Sequence, residues 1–355
     1  MYQIPLPHVQ AETGTRQIDA VMPVRPRLSI VAPCHNEESC LDVLYDRVTR
    51  AAQATAGDDF EIVLVDDGSR DQTWAVICAL AERDSRVLGL RLSRNHGHQL
   101  ALSAGLDLCH GELILIIDAD LQDPPELLGE MMALMAAQEA DVVYALRATR
   151  RGETWLKRTT AKAFYRLLSL ASDGVDIPLD TGDFRLMTRR ALDVLCAMPE
   201  RARFIRGMVA WVGFKQVPLR YERDERLSGQ TSYPFFKMAR LALDALTGFS
   251  SAPLRLATYA GVLFTVMASV LIAYSIGEWF MGRTIPGWTS LIVVVLVIGS
   301  IQMFVLGLMG EYIGRLYDQS KHRPLYIVSD VAGDMRGAPS LGMVAPVEPR
   351  ADFLA

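Results

Sequence analysis

The chain has 355 residues, half of them hydrophobic, and a formal net charge of −5. This length allows one large or two modest domains with a sizeable core. The mildly acidic balance argues against a nucleic-acid-binding protein, which usually presents a basic face. The five cysteines are odd in number and form no C-x-x-C pair, which disfavours a disulfide framework or a zinc site and fits reduced thiols in a cytosolic domain.

The first part of the chain, residues 1–26, lacks the basic start and apolar run of a signal peptide, and we interpret it as a flexible leader. Beyond it, short apolar runs alternate with helical patterns. This alternation predicts an α/β fold with a mostly parallel sheet and helices on both faces. The predicted strands are Leu28–Ala32, Glu61–Val65, Val87–Leu92 and Leu113–Ile117, and the predicted helices include Ser39–Ala54 and Thr73–Arg83.

Polar clusters follow all four predicted strands. Because ligands of open α/β sheets bind beyond the carboxyl ends of the strands, we expect these clusters to meet at one rim. A helix cap such as Ser69 or Asp71 explains one cluster, but it does not explain all four. The clusters are Pro33-Cys34-His35-Asn36-Glu37-Glu38, Asp66-Asp67-Gly68-Ser69-Arg70-Asp71, Asn95-His96-Gly97-His98 and Asp118-Ala119-Asp120-Leu121-Gln122-Asp123.

The fourth cluster predicts a cation site. Asp118 and Asp120 are two residues apart at the end of a strand, so both side chains start on one face. Two neighbouring carboxylates repel each other unless a cation neutralises them. Oxygen ligands suit Mg²⁺ or Mn²⁺, and Gln122 adds a neutral oxygen.

The composition changes near Ser250. No charged residue occurs from Leu256 to Gly277 or from Thr284 to Gly310. A helix across the hydrocarbon core needs about 20 such residues. We therefore predict two transmembrane helices within 255–311, joined by the loop Glu278–Arg283, with a pair of buried core helices as the alternative.

Basic residues flank both spans on the side of the chain termini. Arg240 and Arg255 precede the first span, whereas the connecting loop offers only Arg283. Arg315, Lys321 and Arg323 follow the second span. The positive-inside rule then places both ends, and the large domain 27–232, in the cytoplasm.

The segments beside the spans carry weaker patterns. Residues 233–254 are amphipathic and predict a juxtamembrane helix in the membrane interface, although an ordinary surface helix fits the periodicity equally well. Residues 312–355 form the cytoplasmic C-terminal tail, which after Pro324 has no clear period and is expected to be extended or disordered.

These motifs together resemble glycosyltransferase family 2 enzymes with the GT-A fold. Within that family the chain is similar to polyprenyl-phosphate glycosyltransferases, namely dolichol-phosphate mannose synthase and, more closely, bactoprenol glucosyltransferases. The resemblance covers 28–326. Beyond the four clusters it rests on Gly182-Asp183-Phe184-Arg185-Leu186, Phe204-x-Arg206-Gly207-x-x-x-Trp211-x-Gly213, Gly229-x-Thr231-x-Tyr233, Gly314-Arg315-Leu316-Tyr317 and Lys321-x-Arg323-Pro324.

The resemblance implies a role for each matched residue. Asp120 and Gln122 are expected to bind the metal, with Asp118 beside them. Other members often carry Lys where this chain has Ser232, which puts a phosphate role for Ser232 in doubt. The residues assigned to the nucleotide-sugar are Pro33, His35, Glu37, Asp66, Asp67, Asp118, Ala119, Arg226 and Ser232.

The catalytic residues implied in the same way are Asp120, Asp183, Arg185 and Arg147. Arg147 and Arg185 are expected to hold the acceptor phosphate, and Asp183 either acts as a base or orients Arg185. No metal role is assigned to His96, His98 or His110, for which a helix start or the protein surface is the simpler interpretation.

The predicted function is inverting transfer of a hexose, with glucose from UDP-glucose as first choice, onto polyprenyl (undecaprenyl) phosphate. Partners are the nucleotide-sugar, the lipid, the membrane and further copies of the chain in a homo-oligomer, with a tetramer suggested by the resemblance. Mannose, N-acetylhexosamine or an aminoarabinose derivative are alternative sugars.

A processive polysaccharide synthase is disfavoured because the Q-x-x-R-W motif is absent. A non-catalytic nucleotide-sugar sensor is the alternative from another class.

Overall fold

The computed structural model describes residues 25–147, 181–201, 203–221 and 287–334, with scattered residues between 259 and 281. The strands are β1 (Leu28–Cys34), β2 (Phe60–Asp66), β3 (Val87–Leu92), β4 (Leu113–Ile116), β5 (Val142–Arg147), β6 (Thr181–Thr188), β7 (Gln216–Tyr221) and β8 (Val328–Ala332). The helices are α1 (Leu41–Ala56), α2 (Thr73–Arg83), α3 (His98–Leu108), α4 (Leu128–Gln138), α5 (Arg189–Ala197), α6 (Ile205–Val212) and α7 (Trp288–Ser320), with a 3₁₀ turn at Pro125–Leu127.

The strands form one sheet in the order β7-β5-β6-β4-β1-β2-β3-β8. Strands β4, β1, β2 and β3 run parallel, as do β5 and β7. Strand β6 is antiparallel to β4 and β5, and β8 is antiparallel to β3. The sheet is therefore mixed, but β1, β2, β3, β4, β5 and β7 all run in one direction, which agrees with the expectation of a mostly parallel sheet. The two antiparallel strands, β6 and β8, were not predicted. Antiparallel neighbours need no crossover helix, so the strand–helix alternation in the sequence does not reveal them.

Two hydrophobic clusters cover the two faces of the sheet. Alternate residues of β1 divide between them: Ile30 belongs to the cluster with α1, α2 and α4, whereas Val31 belongs to the cluster with α3, α5 and α6. This division follows from the two-residue period of a strand. Helices lie on both faces, as the sequence predicts.

Helix α3 lies close to the sheet at Gly105. A Cβ atom at this position would be 2.4 Å from Val31 Cγ1 and 3.0 Å from Val65 Cγ2. The absence of a side chain therefore allows the helix backbone to approach the parallel strands. This contact fixes the helix whose first residue, His98, reaches the carboxyl ends of the strands.

Helix α7 extends beyond the predicted second span. Within the described part of the chain, Val297–Ser320 of α7 is the one helical segment that is long and apolar enough to cross a membrane. Two transmembrane helices are not established, because only scattered positions of the first predicted span are described, all of them helical. The predicted boundary at residue 311 falls within this helix, since α7 continues to Ser320. The ion pair between Arg315 and Glu311 at 3.1 Å supports this polar extension.

The segment predicted to be a C-terminal tail returns to the sheet. Strand β8 pairs with β3, and the Ile327 carbonyl accepts a hydrogen bond from the Ser93 N–H at 2.9 Å. Tyr326 donates to Asp107 of α3 at 2.8 Å, and the Gln319 side chain donates to the carbonyl of Pro199 at 2.9 Å. Residues Val328–Ala332 of the predicted tail are therefore a strand of this sheet. A short strand at a sheet edge needs only one partner, so its sequence carries little periodic pattern.

The Gly105 contact predicts the effect of a single methyl group. Gly105→Ala should lower the free energy of unfolding by about 1–3 kcal/mol, because overpacking displaces α3 from the sheet. Thermal unfolding of the purified chain in detergent should show a midpoint lower by about 2–4 °C per kcal/mol.

Gly129→Ala is the matched control, because a Cβ at Gly129 of α4 meets only Thr55 Cγ2, at 3.4 Å. There alanine should leave the midpoint unchanged or raise it, since alanine favours a helix over glycine by up to about 1 kcal/mol. Equal midpoints for the two variants would contradict the close packing of α3.

Candidate active site

A cavity opens at the carboxyl ends of β1, β2, β3 and β4. Its volume of about 490 Å³ is typical of a small-molecule pocket. All four polar clusters contribute to its wall, because the parallel strands end at the same edge of the sheet. The lining residues are Pro33, Cys34, His35, Asn36, Glu37, Asp67, Asn95, Gly97, His98, Asp118, Ala119 and Asp120.

Most residues assigned to the nucleotide-sugar line this cavity. Asp66 does not line it: the carboxylate is buried, and its Oδ1 accepts a hydrogen bond from the Ser69 N–H at 2.9 Å, closing the turn after β2. Arg226 and Ser232 lie outside the described residues. The assigned residues on the wall are Pro33, His35, Glu37, Asp67, Asp118 and Ala119.

Asp67 joins the turn after β2 to the loop after β3. Its two carboxylate oxygens accept hydrogen bonds from the N–H groups of His96 and Gly97 at 2.7 and 2.9 Å. Gly68 adopts φ 63°, and a Cβ there would lie 2.6 Å from the backbone of Arg94. The two loops are thus fixed against each other, and Asp67 builds the wall rather than presenting a free carboxylate.

Asp118 and Asp120 reach the cavity from the end of β4. Ile116 packs under α3, so the strand period carries Asp118 to the same side. The N–H of Gln122 donates to Asp120 Oδ1 at 3.1 Å across a turn in which Leu121 has φ 60°. That left-handed conformation is unfavourable for a bulky residue and persists because the Leu121 side chain is buried in the core.

The Asp183 carboxylate is buried where β6, α3 and α6 meet. Arg206 Nε donates to its Oδ1 at 2.8 Å. Oδ2 lies 3.1 Å from His98 Nε2 and accepts from the Gln99 amide at 3.0 Å. The side-chain oxygen of Gln99, Oε1, in turn accepts from the N–H of Ile205, the first residue of α6, at 2.8 Å. These contacts join the starts of two helices to one strand.

Burial and neighbouring charges shift the pKa values of Asp183, Asp118 and His98. Burial alone would raise the pKa of Asp183, but His98, Arg206 and Arg185 outweigh it and hold that pKa well below its usual range. A carboxylate of this kind is a poor general base. Burial raises the pKa of Asp118 to about 6, with an opposing contribution from His98. Burial would lower the pKa of His98, but Asp183 and Asp118 raise it overall.

Arg185 occupies a different environment from the one predicted for a phosphate ligand. Its side chain is 3% exposed, and its guanidinium donates to the carbonyl oxygens of Asp183 and Gly182. The separation from the Asp183 carboxylate is 4.0 Å, so Asp183 contacts Arg206 more closely than Arg185. Arg147 ends β5, and its side chain lies outside the described part of the chain.

Sequence reasoning missed His98, Gln99 and Arg206. His98 and Gln99 begin the helix after the third polar cluster, and Arg206 lies in a motif used for the resemblance without a role. The sequence could have indicated all three by their place in the chain, since each lies in the first two residues of a helix that follows a loop. Their common partner, Asp183, is far away in sequence and becomes visible only when β6 lies beside β4.

A divalent cation fits the chemistry of this wall. Asp118 Oδ1 is buried and has no hydrogen-bond partner among the described residues, and His98 Nε2 lies 3.5 Å away. Asp120 lines the same wall, whereas Gln122 is buried and does not line the cavity. Imidazole and carboxylate groups are the ligands that transition-metal ions prefer in proteins.

Comparison with known sequences identifies the family. The profile described as glycosyl transferase family 2 matches residues 29–196, and the profile described as GtrB C-terminal hairpin matches 252–316. The uncharacterised glycosyltransferase YkcC of Bacillus subtilis is 46% identical over 86% of this chain and 94% of that protein. The chain belongs to glycosyltransferase family 2. Its α/β domain with a mixed sheet is the GT-A-like fold of this family.

Two further relatives in family 2 have names that state an activity. The prophage bactoprenol glucosyl transferase homolog of Escherichia coli K12 is 41% identical over 86% of this chain and 99% of that protein. The bactoprenol glucosyl transferase of Shigella phage SfV is 39% identical over 86% of this chain and 98% of that protein. Among solved structures, mannosyl-3-phosphoglycerate synthase from Rubrobacter xylanophilus is 20% identical, with TM-score 0.47 over 65% of this chain and 74% of that chain.

The Asp183 network predicts a pH-dependent contribution to stability. Asp183→Asn should destabilise this glycosyltransferase by about 3–5 kcal/mol, because it removes a buried carboxylate that pairs with Arg206 and neutralises the buried guanidinium of Arg185. The pKa of Asp183 is lower in the folded state than the unfolded value of about 3.9. The stabilisation is therefore complete above about pH 4 and is lost as the pH falls.

Thermal unfolding midpoints over a pH series test this. The difference between wild type and Asp183→Asn should narrow below about pH 4. Asp193→Asn is the control, because Asp193 is 63% exposed and pairs with Arg189 at 3.8 Å, so only a fraction of a kcal/mol is expected. A difference that stays constant down to low pH would contradict the low pKa of Asp183.

Proposed function

We propose that the chain transfers glucose from UDP-glucose to polyprenyl phosphate, with inversion at the anomeric carbon, on the cytoplasmic face of the membrane. The observation that carries this proposal is a cavity with Asp118 and Asp120 on its wall, in a domain tied to the end of a membrane-length helix. Relatives named bactoprenol glucosyl transferase, similar over most of their length, supply the substrate class.

The donor fits the cavity by its chemistry. His35 and Asn95 offer ring and amide groups for a base and ribose, and the diphosphate would meet a cation at the two aspartates of the same wall. Asp118 and Asp120 would hold Mg²⁺ or Mn²⁺, which when bound neutralises the departing diphosphate. The size of the cavity suits a nucleotide rather than a polymer.

The acceptor phosphate needs little help from a base. A phosphate monoester has a second pKa of about 6 and is anionic near neutral pH. What the chain must supply is the position of the attacking oxygen relative to the anomeric carbon. The low pKa of Asp183 favours an orienting role over a basic one.

The arginines share this orienting work in the proposal. Arg206 is 32% exposed and held by Asp183, which also contacts His98 of the cavity wall, so its guanidinium is fixed and remains partly accessible. The fork of a guanidinium suits two phosphate oxygens. Arg147 remains the second proposed phosphate ligand. For Arg185, burial and bonding to backbone carbonyls favour support of β6 over direct contact with phosphate.

The lipid acceptor accounts for the membrane segment. A polyprenyl phosphate keeps its phosphate at the interface and its tail in the hydrocarbon core. The end of α7 is tied to the catalytic domain through Gln319 and Pro199, which keeps the domain at the membrane surface. Assembly into a homo-oligomer of the inner membrane remains part of the proposal.

A donor screen tests the function. Purified full-length chain is incubated with undecaprenyl phosphate and, in separate reactions, UDP-glucose, UDP-galactose, UDP-N-acetylglucosamine or GDP-mannose. Mass spectrometry should detect a lipid-linked hexose with UDP-glucose, and the NMR coupling of the anomeric proton should show the β-anomer. Absence of lipid product with every donor would favour a nucleotide-sugar sensor. Transfer from one other donor alone would identify that sugar, in place of glucose, as the transferred group.

Cation dependence is the second test of the same reaction. Asp120→Asn should lower turnover by at least about a hundredfold, because it removes a charged ligand from the ion that stabilises the leaving group. A chelator should do the same to wild type, and Mg²⁺ or Mn²⁺ should restore activity. Asp58→Asn is the control, because Asp58 is 87% exposed and pairs only with Arg86 in the described part of the chain. Full turnover in excess chelator would refute the proposed requirement for a divalent cation.

The membrane topology gives another prediction. In a cysteine-free background, an impermeant maleimide applied to spheroplasts should label Arg283→Cys, in the loop between the predicted spans. Arg323→Cys, after α7, should react only once the membrane is permeabilised, because the positive-inside rule keeps this side in the cytoplasm. Labelling of Arg323→Cys from outside would refute the hairpin topology.

A further inference from the structure

Tyr221, the last residue of β7, contacts the turn that carries Asp120. Its hydroxyl donates a hydrogen bond to Asp123 Oδ1 at 2.6 Å, and both side chains are buried. This length is typical of a hydroxyl bound to a carboxylate, which is a stronger bond than one between neutral groups. Strands β5 and β6 lie between β7 and β4 in the sheet, so the bond joins two strand ends that are not neighbours.

The ring of Tyr221 is fixed by its neighbours. It meets the ring of Phe184 on β6 edge to face, with the centroids 5.9 Å apart and the planes at 70°. Phe184 is fully buried, and Leu121 of the turn belongs to the same hydrophobic cluster. The hydroxyl therefore reaches Asp123 from a position that packing determines.

The turn needs support on each side of Leu121. The N–H of Gln122 orients the Asp120 side chain across Leu121, which has the left-handed conformation with φ 60°. A strained conformation of this kind persists only where the surrounding structure holds it. The buried side chain of Leu121 is one such support, and the bond from Tyr221 to Asp123 is the next along the chain. Without that bond the turn relaxes toward ordinary backbone angles, which moves Asp120 on the cavity wall.

The chain beyond the turn has separate support. Two prolines follow Asp123 and restrict the backbone there. Glu126 then accepts two hydrogen bonds from the guanidinium of Arg47 on α1, at 2.9 and 2.8 Å. Loss of the Tyr221 bond should therefore loosen residues 118–123 and leave α4 in place.

Strand β7 also borders the strand that carries a proposed acceptor ligand. In the parallel pairing of β5 with β7, Arg147 and Tyr221 are opposite each other. The residue that anchors the turn therefore belongs to the strand beside Arg147. A displacement of the turn relative to this strand would change the separation between the proposed cation and the acceptor phosphate.

We propose that Tyr221 is a positioning residue for the divalent cation, acting through Asp123 to hold Asp120 in place on the cavity wall. This deepens the proposed function and rests on it for the cation at Asp120. Tyr221 is not among the residues that line the cavity, so its effect on the ion is indirect. Loss of this support lowers the affinity of the site for the ion, whereas an excess of the ion fills the site again.

Mn²⁺ binding in the presence of UDP tests this role without turnover. In electron paramagnetic resonance, the signal of free aqueous Mn²⁺ decreases as the ion binds to the full-length chain. Tyr221→Phe removes only the hydroxyl and should weaken Mn²⁺ binding by about 10–100-fold, the usual effect of removing a group that orients a metal ligand. In the transfer reaction, the Mn²⁺ concentration for half-maximal turnover should rise by the same factor, and saturating Mn²⁺ should restore most of the wild-type kcat.

Tyr45→Phe is the matched control. The Tyr45 hydroxyl donates to Asp84 Oδ2 at 2.7 Å, and Asp84 precedes β3 at the amino ends of the parallel strands, away from the cavity. Both variants lose one hydroxyl that is bonded to an aspartate, and both should lower the thermal midpoint, but Tyr45→Phe should leave Mn²⁺ binding unchanged. Equal weakening of Mn²⁺ binding in the two variants would make Tyr221 a residue of general stability and overturn the proposal.

Variants at Asp123 show whether Tyr221 acts through it. Asp123→Ala should weaken Mn²⁺ binding as much as Tyr221→Phe, so either variant alone tests the role if the other does not fold. Adding Tyr221→Phe to Asp123→Ala should change the affinity by less than about twofold, because the two residues act as one unit. Asp123→Asn keeps an acceptor oxygen, so Tyr221→Phe should still weaken binding in that background. A full additional effect in the Asp123→Ala background would contradict the route through Asp123.

The outcomes separate this proposal from the proposed function. Unchanged Mn²⁺ affinity in Tyr221→Phe, in a chain that transfers sugar, would overturn the role of Tyr221 and leave the transferase standing. Weakened Mn²⁺ binding in a chain that transfers no sugar would support Tyr221 and refute the activity. A wild type that binds no Mn²⁺ with UDP present would refute the cation and the role of Tyr221 together.

Discussion

A buried carboxylate needs hydrogen-bond donors for both of its oxygen atoms, and at Asp183 these donors come from two different helices. His98 and Gln99 approach from the start of α3, and Arg206 approaches from α6. Moving either helix would leave buried charge without a partner, at a cost of several kcal/mol. The position of the cavity wall therefore depends on this carboxylate as much as on the sheet beneath it.

The sequence alone predicted those site residues and helix bounds that depend on local pattern. The carboxyl ends of parallel strands must meet, so apolar runs followed by polar clusters located Asp118, Asp120 and Asp67 on one cavity. Helix α2 begins and ends at the predicted residues, Thr73 and Arg83, because its apolar period is uninterrupted. The family also followed from motifs, since motifs of several residues depend little on distant contacts.

What local pattern could not reveal depends on long-range pairing. The register of β6 against β4 sets Arg185 beside Ile116, so the strand period buries Arg185 on the side of α3. Arg185 and Arg206 have the same side-chain chemistry, yet the first bonds to backbone carbonyls and the second to Asp183. Strand β8 escaped prediction because five residues at an edge show no usable period.

The place of β8 in the chain has a consequence for biosynthesis. The ribosome makes β3 before the apolar segment and β8 after it, yet the two strands are neighbours in one sheet. Until translation has passed α7, the edge of β3 that β8 will cover has unpaired backbone groups, a surface that promotes wrong association. Completion of the sheet therefore waits for synthesis of α7, and a nascent chain stalled before that point exposes an open edge.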